Sequence, residues 1–110
     1  MEFHDLIERA LSVRKQYEML EMNRYGRLWE NDEIALGFVG DVGDLAKLVI
    51  AQNGVRDIPE AREKLAHELS DCLWSVIVLA HNYGFDLETV FMENMEWLSE
   101  QIEAQQKQDR

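Results

Sequence analysis

Residues 37–49, GFVGDVGDLAKLV, decide how this chain folds: apolar side chains return there at helical spacing, while Asp41 and Asp44 keep a three-residue spacing inside the same run. That spacing puts both carboxylates on one flank of a helix. A second run, KLAHELSDCLWSV at 64–76, repeats the arrangement with Glu68 and Asp71. At about 100° per residue, Phe38, Val42, Leu45, Ala46 and Val49 form the expected inner face of the first run. Leu65, Leu69, Cys72, Leu73, Val76 and Ala80 form that of the second. The two acid pairs then share one offset from their stripes and can face each other across a groove. Asp41 falls between Leu45 and Leu48, so it is expected to be partly buried and to need a positive partner. Lys64, Ser75 and Asn82 continue the same strip and are candidate ligand contacts beside the acids.

Working outward, the apolar period predicts four helices, over about 2–22, 34–52, 59–83 and 87–105. The first carries Phe3, Leu6, Ala10, Val13, Tyr17 and Leu20 on one face. Residues 23–33, NRYGRLWENDE, lose the period and are expected to form an ordered connection. Gly54 suits the end of the second helix, Asp57 and Pro59 the entry to the third, and Gly84 its stop. Asp86 is the expected N-cap of the fourth helix, whose stripe is Phe91, Met95, Leu98 and Ile102; the polar tail QQKQDR is expected to fray. Trp74 and Val78 lie opposite the inner stripe of the third helix, which predicts a second partner surface supplied by self-association.

The 110 residues fit one domain, 1–110, and 46% hydrophobic residues with a single proline and no low-complexity tract point to an all-α, four-helix bundle-like fold. The net charge of −11 argues against gripping nucleic acid, which takes a clustered basic surface. Neither a leader-like start nor a long uncharged apolar run is present, so no membrane span and a cytoplasmic location are expected. Cys72, the lone cysteine, is read as a core thiol, and His67 and His81 as surface or interface residues without zinc. Four carboxylates on facing helices suit Mg²⁺, with Mn²⁺ able to substitute, because such an ion takes oxygen ligands and leaves positions for phosphate oxygens.

GDVGDLAK at 40–47 followed by HELSD at 67–71 resembles the MazG-like all-α nucleoside triphosphate pyrophosphohydrolases, which carry GEVGELAE or EExxE on one helix and EELSD or ExxD on the next. Over about residues 25–98 the order and separation are similar, and the dCTP pyrophosphatase-like branch looks nearest. The resemblance implies that Asp41, Asp44, Glu68 and Asp71 are both the Mg²⁺ ligands and the catalytic acids. It implies hydrolysis of a nucleoside triphosphate to the monophosphate and pyrophosphate, a nucleotide-pool housecleaning role, and a homo-oligomer, dimer or tetramer. Trp29 resembles an aromatic residue of that branch that could stack on a base, with Arg24 or Arg27 near phosphate. Departures from the family pattern are the two aspartates in the first motif, Asn94 where many relatives have lysine, and Ser75 where the dCTP branch has tyrosine. Two alternatives stay open: a non-catalytic helical interaction module, and a hydrolase of another nucleotide-linked phosphoanhydride.

Overall fold

The computed structural model describes residues 1–109. Four helices account for nearly all of them: α1 Phe3–Tyr25, α2 Asn31–Gln52, α3 Ala61–Asn82 and α4 Leu87–Gln108, with no strand among the described residues. The fold is all-α, as the spacing predicts.

The connection between α1 and α2 is shorter than the lost apolar period suggests, running only from Gly26 to Glu30. Its flanks are polar helix ends. α1 continues to Tyr25 and closes on Gly26, whose φ of 71° takes the left-handed conformation while its N–H donates to Met22 O at 3.0 Å. α2 begins early because Asp32 and Glu33 sit favourably at its positive N-terminal end. Glu33 Oε1 also accepts from Glu30 N–H at 3.1 Å, and Arg27 clasps both Glu33 oxygens at 2.7 and 2.9 Å. Those hydrogen bonds, Arg27's first, hold the Glu33 carboxyl down to about 2.

The other ends follow the sequence more closely. Asp86 caps α4, its carboxylate accepting from Thr89 N–H at 3.5 Å and Thr89 Oγ1 at 3.0 Å. The tail expected to fray is helical to Gln108, because Glu, Ala, Gln and Lys are strong helix formers even without an apolar stripe.

Packing corrects the two expected inner faces. Ile34 and Leu48 are the buried apolar residues of α2, with Phe38, Asp41 and Leu45 half-buried along the line between them, while Val42, Ala46 and Val49 are exposed. On α3 the shielded line runs through Leu65, Glu68, Asp71, Ser75 and Val78, leaving Leu69, Leu73 and Val76 exposed. Both stripes are thus turned so that Asp41, Glu68 and Asp71 are half-buried along the α2–α3 seam, with Asp44 exposed. The Trp74 side of α3 meets α1 within the chain. Trp74 Nε1 donates to Ala10 O at 3.1 Å, its ring meets that of Tyr17 at 5.5 Å and 58°, and Val78 is completely buried.

α3 is the central element, packed most extensively on α2 and less on α1. In α4 only Leu87 is shielded; every residue from Glu88 to Asp109 is exposed, including the stripe of Phe91, Met95, Leu98 and Ile102. The principal extents of 61 × 40 × 29 Å exceed the roughly 33 Å length of a 22-residue helix in the long direction.

Candidate active site

α2 and α3 bring three of the four acids together: Asp41, Asp44 and Glu68 each offer a carboxylate oxygen within 4.8 Å of the others. The three-residue spacing on α2 supplies two of them from one face, and the seam supplies the third. Asp71 stands beside this group, its Oδ2 3.1 Å from His67 Nε2 one turn back on α3.

Like charge dominates the cluster. Burial, then the charges of Asp71 and Asp44, push the Asp41 carboxyl above its ordinary range. Burial, then Asp41, Asp71 and Asp44, push Glu68 in the same direction, and His67, the smallest influence on each, opposes both. Glu68 Oε2 is buried without a hydrogen-bond partner. An orphaned carboxylate oxygen is costly, and a hard divalent cation, which takes oxygen ligands, would satisfy it. The residues present therefore fit a divalent cation. Burial followed by the neighbouring acids likewise raises the Cys72 thiol, which suits an inert thiol and not a nucleophile.

Two concavities flank the acids. The first, about 440 Å³, lies between α1, α2 and α3; Tyr17, Trp29 and Trp74 supply aromatic walls, and Asp41, Asp71 and Ser75 line it as well. Ser75 is buried there. Arg14 and Glu21, both buried, also line this cavity and form an ion pair at 2.6 Å. The second, about 380 Å³, lies toward the end of α2 and the start of α3, where Asp44 and Glu68 meet Lys47, Lys64 and His67.

The sequence-derived contacts divide accordingly. Trp29, Lys64 and Ser75 line a concavity beside the acids. Arg27 does not; it is committed to Glu33. Asn82 also lies away from them, because its Nδ2 donates to Asn31 Oδ1 at 2.8 Å and ties the end of α3 to the start of α2. Asn94 is exposed on α4 and Arg24 exposed at the end of α1, and neither lines either concavity. Sequence reasoning missed Arg14, Glu21 and Lys47. The i,i+7 spacing of Arg14 and Glu21 on one helix face was a readable signal, as was Lys47 one turn after Asp44.

Comparison with known proteins yields no matching curated protein and no matching solved structure. A family model, the MazG nucleotide pyrophosphohydrolase domain, matches residues 30–103. The match takes in all of α2 and α3, which carry the acid cluster, and most of α4. With more than half of its length matched and its acids gathered on those two helices, the chain belongs to the MazG nucleotide pyrophosphohydrolase domain family.

Proposed function

We propose that this protein hydrolyses a nucleoside triphosphate between the α and β phosphates, releasing the monophosphate and pyrophosphate in a Mg²⁺-dependent reaction. The observation that carries this reading is the three-acid cluster with its orphaned Glu68 oxygen, opening beside an aromatic-walled cavity in a MazG-family chain. Asp41, Asp44 and Glu68 would hold the cation, with Asp71 alongside. When bound, such an ion offsets phosphate charge and makes water a better nucleophile at neutral pH.

The remaining chemistry belongs to the side chains. Tyr17, Trp29 and Trp74 offer faces on which a base can stack while excluding water from the acid end of the cavity. Asp71, outside the three-acid group and oriented through Oδ2 by His67, keeps Oδ1 to accept the proton lost by the attacking water. The water oxygen bonds to phosphorus, and the α–β bridging oxygen leaves with its electron pair on pyrophosphate.

Self-association is part of this proposal. Leu69, Leu73 and Val76 on α3, Val42 and Val49 on α2, and the α4 stripe leave much apolar surface open, and a second copy of the chain is the partner that buries such faces symmetrically.

The test is pyrophosphate release from a panel of canonical and modified nucleoside triphosphates with Mg²⁺, Mn²⁺ or EDTA, comparing wild type with Asp71→Asn and Glu68→Gln. Metal-dependent release of both products, lost in the variants with helicity intact, is the expected result. No turnover across the panel would favour a binding module.

A further inference from the structure

The polar side chains of the aromatic cavity are mostly engaged already. Arg14 and Glu21 hold each other at 2.6 and 3.2 Å and also hold both backbone groups of Trp29, while Trp74 Nε1 donates to Ala10 O. Away from the acids this leaves the hydroxyls of Tyr17, Ser70 and Ser75 on the cavity wall. A hydroxyl rotates to donate or to accept, so it accommodates either kind of polar edge on a ligand. Stacking on aromatic rings is equally indifferent to that edge, since every base has a π-face.

Size is a different matter. Asn31 bonds to Asn82 at one end of the seam, and Asp41 and Asp44 gather with Glu68 further along it, so α2 and α3 run antiparallel. In that register Gly37 stands across from Ser75, one turn before Asp41 on α2 and one turn after Asp71 on α3. A turn rises about 5.4 Å, which sets the pair that far from the acid end. Both residues line the cavity, Ser75 is buried there, and a Cβ built on Gly37 would meet nothing within 4 Å. Glycine inside a helix costs stability relative to alanine. What it leaves here is open depth beside the rings, in a cavity of about 440 Å³.

We propose that Gly37 and Ser75 form a slot that admits a bicyclic base, so that the protein selects purine over pyrimidine nucleotides by size and accepts adenine-type and guanine-type edges alike. The pyrophosphohydrolase reading supplies the ligand class on which this rests. With the phosphates drawn to a cation at the acids, a base one turn along the seam lies among Tyr17, Trp29 and Trp74 and reaches the slot. A single six-membered ring leaves the Gly37–Ser75 end unfilled and forfeits the contacts on that side. A bicyclic base makes them.

The experiment is calorimetric titration, in Mg²⁺, of the uncleavable α,β-methylene analogues of adenosine, guanosine and cytidine triphosphates into wild type, Gly37→Ala and Gly37→Leu. Both purine analogues are expected to bind wild type about tenfold or more tightly than the cytidine analogue, and within about threefold of each other. Gly37→Leu is expected to reduce the purine advantage below about threefold, with Gly37→Ala in between. Thermal unfolding should show both variants as stable as wild type or more so, because each replaces a weak helix former at a position with open space. Should Gly37→Leu unfold, the narrowing in Gly37→Ala decides. Cytidine binding as tight as purine binding, purines differing more than about tenfold, an advantage unchanged by filling position 37, or no binding of any analogue would overturn the proposal. A purine preference that the variants erase, in a protein that releases no pyrophosphate from the parent triphosphates, would remove the hydrolase reading and keep the slot.

Discussion

Arg14 and Glu21, two turns apart on α1, share a buried two-pronged ion pair that also grips both backbone polar groups of Trp29: Glu21 Oε1 accepts from Trp29 N–H at 2.8 Å, and Arg14 donates to Trp29 O at 3.4 Å. Burial alone pushes the Glu21 carboxyl up, but the hydrogen bonds from Arg14 and Trp29 outweigh it and hold the pKa below its ordinary value. A buried pair of this kind is weak evidence for stability, yet it fixes where a chain segment goes. Here it anchors the Gly26–Glu30 connection and places the Trp29 side chain at the cavity.

Removing one partner strands the other. Glu21→Gln or Arg14→Met should therefore cost about 3–5 kcal/mol, whereas the double change Arg14→Met with Glu21→Leu should stay near wild-type stability. Thermal unfolding of the three variants checks this. A single variant as stable as wild type would show that the pair is dispensable. In the double variant KM should rise with kcat less affected, because Trp29 loses its anchor while the acids do not.

The acid cluster should behave in the opposite way. Asp41 and Glu68 are raised by burial first and by the neighbouring acids second, so the folded protein binds protons more tightly than the unfolded chain. Stability from these two groups is fully present below their unfolded values and is lost as pH rises through the raised folded ones. Without metal at neutral pH they are a liability. Glu68→Gln should raise the stability of the metal-free protein by on the order of 1 kcal/mol, or about 4–8 °C in Tm, while abolishing further stabilisation by Mg²⁺. Scanning both proteins in EDTA and in Mg²⁺ decides it; a variant less stable than wild type in EDTA would contradict the electrostatic account.

Protons and metal compete for the same oxygens. Because Asp41 and Glu68 titrate above the ordinary values of 3.8 and 4.5, Mg²⁺ affinity should begin to fall at a higher pH than it would at unperturbed carboxylates. Calorimetry from neutral pH downward in buffers of different ionisation enthalpy should show proton release on binding. An affinity flat to pH 4.5 would exclude these two residues as ligands.

The helices, the half-buried state of Asp41 and the meeting of Asp41, Asp44 and Glu68 were all legible, because apolar period and i,i+3 acids are local signals. The partners of each face were not. Trp74 and Val78 announced a second packing surface correctly, but whether α1 or another copy covers it depends on how α1 folds back, and no local pattern encodes that. The grip of the Arg14–Glu21 pair on Trp29 escaped for the same reason, since that part forms only when the connection turns back over α1. Arg27 looked free in the sequence because its partner, Glu33, lies across that same turn.

The rotated stripes also move the expected oligomer contact. Trp74→Glu should now disrupt α1 docking, because that ring packs on Tyr17 and bonds to Ala10 O. Leu69 is 54% exposed, Leu73 46% and Phe91 55%, and they belong to faces left open among the described residues. If a second copy covers them, Leu73→Glu or Phe91→Glu should halve the mass seen by light scattering while helicity per residue is kept, because a charge buried at a dimer seam has no partner there. Trp74→Glu should instead lower Tm by destabilising the protomer itself. A wild-type mass equal to one chain, or Leu73→Glu and Phe91→Glu both leaving an oligomer intact, would mean that these faces are open to solvent or are covered by a different partner.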